Sequence, residues 1–240
     1  MTYDWPVPTE ANAGRGRLAD PTGDARSDRW REHRATVRAE LVEATLRAID
    51  LHGPDLSIDD VVKTAEVPRP KLYRFFGDKD GLFDAVSERV QQMIIDRVVP
   101  HFDLTDTALG LVRSTLTAYV SLVAERPNVF RFLVGSHFSD GGRSTMDLVD
   151  GGRPLSDATA AVLTAVVGAR GGDVENLEYF VDATLGAVAL GVLRWLNTPA
   201  ISENALVDEL TTFVWGAMSA TAAARGVILD PDERLALPDN

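Results

Sequence analysis

The twenty-residue stretch Ser57–Phe76, SIDDVVKTAEVPRPKLYRFF, leaves little choice of local structure. Ser57 stands before an apolar run, and Asp60 follows at the position from which a carboxylate reaches back to a helix cap. Ile58, Val61, Val62 and Ala65 then recur at i, i+3, i+4 and i+7, one stripe of a helix. Pro68 ends that helix, because it has no N–H and clashes with a preceding turn. Arg69-Pro70 opens a second helix, where proline is tolerated. Leu72, Phe75 and Phe76 are its inner residues, and Arg69, Lys71, Tyr73 and Arg74 face outward. A short cationic helix pinned to a neighbour through a tight turn suits the major groove of DNA. Periodicity alone also allows an ordinary helical hairpin, but the clustered outward cations do not follow from that.

With Gly77-Asp78-Lys79-Asp80-Gly81-Leu82 after it, this stretch resembles the DNA-binding domain of the tetracycline-repressor (TetR) family. That family's pattern runs Thr or Ser cap, apolar pair, Ala-Gly-Val-Ser, then Gly-Thr-Leu-Tyr-x-His-Phe and a nearby Lys. Ser57, Val61-Val62, Ala65, Val67, Leu72-Tyr73, Phe76 and Lys79 match it in order and spacing. Glu66 stands for the usual Gly, Pro68 for Ser, Pro70 for Gly, Lys71 for Thr and Phe75 for His. Glu66 fits worse than Gly if the turn needs a positive φ. Pro68 removes a side-chain cap. Both read as changes in which bases are recognised. The resemblance implies an all-α fold, with a three-helix helix-turn-helix head on a larger helical ligand-binding and dimerisation domain. It implies a ligand-responsive regulator, usually a repressor, holding a near-palindromic double-stranded DNA operator as a homodimer. Its DNA-contacting positions here are Ser57, Arg69, Pro70, Lys71, Tyr73, Arg74 and Lys79. Arg69 is the expected guanine reader, and Tyr73 and Lys79 the expected holders of the DNA backbone.

The formal charge of −12 sits badly with such a partner, whose affinity comes largely from cations meeting phosphates. Its distribution answers the objection. Residues 1–80 carry 13 Lys+Arg against 15 Asp+Glu, and residues 81–240 carry the remaining 11 against 21. The N-terminus lacks the basic-then-apolar order of a secretory leader. No apolar run is expected to reach the ~20 residues of a membrane span. There is no cysteine, hence no disulfide framework. A cytoplasmic protein, away from membranes, is the expectation.

Residues 1–27 read as a flexible arm containing Arg15, Arg17 and Arg26. Either they form a solvated tail or they follow the DNA backbone or minor groove. The head is expected over residues 28–77, its first helix from about Asp28 to His52 with Val37, Leu41, Ala44, Ala48 and Leu51 inward. The helical domain is expected over 78–226 and a loose tail over 227–240. Gly pairs mark residues 139–154 as a mobile loop. The last two helices, near 174–196 and 202–225, are apolar nearly all round, so both sides need cover. Phe180, Ala183, Ala187 and Leu190 on one, with Gly216 and Ala220 on the other, are the faces expected to meet a second copy. A monomer with a deeper core is the alternative.

Single aromatics at helical spacing are by default core residues. Leu116, Tyr119, Thr184, Val188 and Trp195 are nonetheless the expected lining of an effector pocket, with two hydroxyls as polar points. No Lys or Arg cluster lies among them, so the expected effector is a hydrophobic small molecule. His33, His52, His101 and His137 are scattered, so no metal is expected. No phosphate-cradling loop or nucleophile elbow occurs, so neither a cofactor nor an enzyme is expected. A helical enzyme or pure binding protein that keeps the head as scaffold is the alternative of another class.

Overall fold

The structure is a computed structural model. It describes the backbone of residues 21–102, 105–138 and 145–235, and the side chains of 27–102, 105–133 and 152–235. Nine α-helices occur among the described residues: α1 Pro21–His52, α2 Ile58–Ala65, α3 Arg69–Phe76, α4 Lys79–Val98, α5 Ala108–Glu125, α6 Pro127–Phe138, α7 Thr145–Gly168, α8 Leu177–Asn197 and α9 Glu203–Ala224. A 3-10 turn at Val99–His101 follows α4 at Pro100. The only β-pairing among the described residues is one isolated bridge, Thr107 to Arg234. The all-α expectation holds.

The chain divides into two compact units, residues 1–39 and 40–240. Of the first, residues 21–39 are the N-terminal part of α1. The helix was expected to begin near Asp28; it begins at Pro21, since proline suits a first turn and Asp24 suits the positive end of the dipole. From Ser27 to Ala39 it is exposed except for half-buried Val37. The 1–20 part of the expected arm lies outside the described residues.

The second unit holds the rest of α1 and all other helices. Leu41, Val42, Ala44, Leu46, Ala48 and Ile49 of α1 are buried together with Val61 of α2, Leu72 of α3 and Leu82, Val86 and Val90 of α4. Leu51, expected inward, is 73% exposed. It falls just outside the buried arc, whose middle runs through Thr45 and Ile49. α5 packs on α4 and α9, and α7 on α8.

Three expectations fail here. Residues 145–154 were read as loop, yet they belong to α7, with Pro154 inside it; residues 139–144 lie outside the described residues. Gly and Pro cost ~1 and ~3 kcal/mol in a helix interior, and burial of Ser156, Leu163, Val166 and Val167 further along opposes that cost. The tail was read as loose, yet Val227, Leu229 and Leu235 are buried in a core with Val167, Leu177 and Ala222. Leu235 N–H donates to the Asp106 carbonyl at 3.0 Å, tying the tail to the start of α5. Residues 236–240 lie outside the described residues. α8 is also, against expectation, long and apolar enough by composition to cross a bilayer. Glu178, Asp182 and Arg194 interrupt it, and it packs on α7 and α9 as a domain helix.

Candidate functional site

The opening stretch forms its two helices as the residues dictate. The Ser57 hydroxyl accepts from the Asp60 N–H at 3.3 Å and donates to Asp60 Oδ2 at 2.7 Å. The Ser57 N–H donates to that oxygen at 2.9 Å, completing a capping box. These hydrogen bonds, the side-chain one first, hold the Asp60 carboxyl below its usual value. Both Ser57 donors are thus spent on Asp60, and a phosphate would need a donor. The turn does require a positive φ, and Glu66 adopts it at φ 53°, ψ 38°. Its N–H still closes α2 on the Lys63 and Val62 carbonyls.

α3 begins after Pro68 without a side-chain cap. Leu72 is buried to 1% exposure, which fixes the rotation of the helix. Arg69, Pro70 and Arg74 are exposed, and Lys71 and Tyr73 half-buried. The structure therefore brings Arg69, Pro70, Lys71, Tyr73 and Arg74 together on one short helix. Arg69 Nη2 donates to Asp59 Oδ1 of α2 at 2.7 Å. Both groups are largely exposed, so the pair is worth only ~0.2–1 kcal/mol. The sequence reading missed this partner, because its sole signal was an acid in excess of the one the cap needs.

α3 joins α4 through Gly77, at φ 82°, and Asp78, whose carboxylate caps α4 by accepting from Gly81 N–H at 2.8 Å. A Cβ on Gly81 would lie 2.1 Å from the Phe76 carbonyl oxygen, so only glycine allows this approach. Lys79 is exposed in the first turn of α4, where a cation opposes the helix dipole. Its Nζ lies 5.0 Å from the Phe83 ring centroid. Phe83 meets Phe132 of α6 edge-on at 4.8 Å. Further contacts run from the head into the helical body. Arg89 of α4 donates to Glu43 of α1 at 2.6 Å. Arg126, between α5 and α6, donates from Nε to Asp50 of α1 at 3.1 Å. Asn128 of α6 donates to the Asp50 carbonyl, and Arg131 to the Leu196 carbonyl at the end of α8.

The expected effector residues lie on two helices in contact, Leu116 and Tyr119 on α5 and Thr184, Val188 and Trp195 on α8. Leu116 and Val188 are buried. The Thr184 hydroxyl donates to the Phe180 carbonyl of its own helix at 2.8 Å, and the Trp195 indole N–H to the Ile201 carbonyl at 2.9 Å. Those two polar points are satisfied internally. Tyr119 differs. Protein encloses it, and that burial pushes its phenol up to about 12. Its side chain is half-buried. Phe130 of α6 meets its ring edge-on at 6.4 Å. A separate open groove of about 420 Å³ lies beside Arg97, His101, Arg113, Ser114, Thr117 and Ser121. None of the expected effector residues lines it. Its arginines are already paired, Arg97 with Glu125 and Arg113 with Asp208.

α8 and α9 leave a second uncovered face. Leu190 is 67% exposed, Tyr179 71% and Phe213 49%, and Ala183, Gly216 and Ala220 are exposed among them. Ala187 is half-buried. Phe180 is also half-buried and leans on the core of its own chain. Gly191 faces inward, since a Cβ there would come 3.3 Å from Leu210 of α9.

Residues 41–86 match a family model described as bacterial regulatory proteins, tetR family, and residues 102–228 one described as tetracyclin repressor-like, C-terminal domain. An uncharacterised HTH-type transcriptional regulator of Mycobacterium tuberculosis is 30% identical over 204 residues, 85% of this chain and 86% of that protein. The HTH-type transcriptional regulator BetI of Burkholderia cenocepacia is 41% identical over 54 residues, 22% of this chain and 28% of its own. A tetR-family regulator structure from Streptomyces coelicolor superposes with a TM-score of 0.60 at 23% identity, covering 79% of this chain and 83% of its own. One from Pectobacterium atrosepticum superposes at 0.62 with 20% identity, covering 84% and 98%. These two likenesses bear on the fold.

Proposed function

The chain belongs to the tetR family of bacterial regulatory proteins, and from that premise we propose that it is a dimeric repressor whose hold on a near-palindromic operator is released by a hydrophobic small molecule. It is a DNA-binding transcriptional regulator rather than an enzyme, and its place of action is the cytoplasm, where a bacterial chromosome lies. One observation carries the reading: α3 buries Leu72 and leaves Arg69, Pro70 and Arg74 exposed, with Lys71 and Tyr73 half-buried beside them. Two such helices in a symmetric dimer read half-sites about one helical turn, ~34–36 Å, apart. Arg69 reads a guanine, Lys71 and Arg74 lie in or beside the groove, and Tyr73 and Lys79 hold phosphates. Ser57 serves by capping α2 and so placing the head against the backbone.

The dimer forms through α8 and α9. An apolar face with Leu190, Tyr179 and Phe213 in the open needs cover, and the small residues Ala183, Ala187, Gly216 and Ala220 let a second pair of helices approach closely. The effector lies beside Tyr119, Leu116 and Val188, with the Tyr119 hydroxyl as its polar anchor; Thr184 and Trp195 shape the wall. Its signal has a physical route. α6 carries Phe130 against Tyr119, Phe132 against Phe83 under Lys79, and Asn128 on Asp50 of α1. A ligand that favours one position of α6 favours one placement of the head, provided it binds the two states unequally. The test is a gel shift with DNA flanking the chain's own gene against unrelated DNA of equal length. A complex confined to the flanking DNA supports the reading, and equal retention of both overturns it.

A further inference from the structure

We propose that Asp59 is a positioning residue for base recognition: it holds Arg69 in the orientation in which that arginine reads a guanine. The proposal rests on the assignment of α3 as the reading helix. Arg69 opens α3 at the positive end of the helix, after a cap residue with no side-chain hydrogen bond, where a cation is disfavoured. The stability of α3 therefore does not explain it. Asp59 is not needed as a cap, because Ser57 and Asp60 already complete the capping box of α2. Asp59 is instead 67% exposed on the same surface as the outward cations, where a carboxylate repels every phosphate. What it does there is accept from Arg69 Nη2 at 2.7 Å, ten residues away in sequence. A guanidinium has five N–H donors. One goes to Asp59, and two of the other four suffice for O6 and N7 of a guanine. An arginine already held by a carboxylate gives up less side-chain freedom when it meets the base.

The two effects of Asp59 point in opposite directions, which separates them from a role in folding. Removing it should raise affinity for unrelated DNA, through lost repulsion, and lower discrimination at one base pair. A role in helix stability alone would weaken all binding together. The test uses the full chain in binding selections from randomised duplexes, followed by titrations of selected and unrelated DNA, for Arg69→Ala, Asp59→Ala, Asp59→Asn and the double variant Asp59→Ala/Arg69→Ala. Arg69→Ala should relax one base pair, and Asp59→Ala the same one by about fivefold. The double variant should relax it no further than Arg69→Ala, and Asp59→Ala should bind unrelated DNA about twofold tighter. Asp59→Asn should fall between, since its amide oxygen still accepts; it carries the comparison if Asp59→Ala melts early. Full discrimination in both Asp59 variants, or relaxation at another base pair, overturns the proposal. A silent Arg69→Ala overturns it too, by removing the reader, while Lys71 and Arg74 still permit specific binding. A wild-type chain without any sequence preference defeats the DNA-reading assignment itself.

Discussion

The head and the α8–α9 pair each leave a face of the molecule uncovered, and the two faces differ in kind. On α3 and the start of α4 the uncovered side carries Arg69, Lys71, Arg74 and Lys79 around a buried Leu72. On α8 and α9 it carries Leu190, Tyr179 and Phe213 between alanines and glycines. A cationic face keeps its water until phosphates replace it, so its strength falls with salt. An apolar face gains by leaving water whatever the salt. One surface therefore suits a polyanion, and the other suits a copy of itself. The acidic excess of the chain lies mostly beyond residue 80 in the sequence.

Variants can break this division or sharpen it, and the apolar face should give the largest effect. Ala187→Arg or Ala220→Arg places a charge in the proposed dimer contact without a partner. Light scattering should show monomer, and operator affinity should fall by about a hundredfold or more as the two heads lose their linkage. A clean dimer from both variants would place the contact elsewhere. Next is the joint between the faces. Gly81→Ala sets a Cβ 2.1 Å from the Phe76 carbonyl oxygen, an overlap expected to cost on the order of 3 kcal/mol and to lower the melting temperature by about 10 °C. Unchanged melting would mean that α3 and α4 separate freely. Tyr119→Phe removes one buried hydroxyl and should weaken the effector response by ~1 kcal/mol while DNA binding by the free chain stays intact; an unchanged response in a titration moves the polar anchor elsewhere.

The cationic face responds in smaller steps. Lys79→Ala should weaken all sequences alike and lower the salt slope by ~1, measured as affinity against salt concentration. Least of all, alanine at Arg29, Arg31, Arg34 and Arg38, in the exposed N-terminal part of α1, should make that slope shallower only if this segment touches DNA. An identical slope leaves it a solvated helix.

The head was legible because its signals are local. Ser57 with Asp60, Pro68 before Arg69, and Gly77 with Asp78 each fix a cap or turn through neighbours within a few residues. Even the misfit was readable, since Glu66 stands at the positive φ that a family glycine would supply. The Asp59–Arg69 pair was not, because it joins two helices across ten residues and leaves no periodic trace. The body was legible in outline only. Gly151, Gly152 and Pro154 spoke for a loop, but packing further along α7 outweighed a local penalty. Val227, Leu229 and Leu235 spoke for nothing by themselves, and only the tertiary core around Val167 and Leu177 gives them a place. The Thr184 hydroxyl looked available from sequence and proved to be engaged on its own helix, by the Phe180 carbonyl.

Two copies, joined by the apolar face, are proposed to present two cationic faces to one DNA. This is tested most directly by the light-scattering mass of the chain alone and on a duplex from the flank of its gene. The expected masses are twice 26.0 kDa for the free protein and two chains on each duplex. A mass of one chain in either state would contradict it.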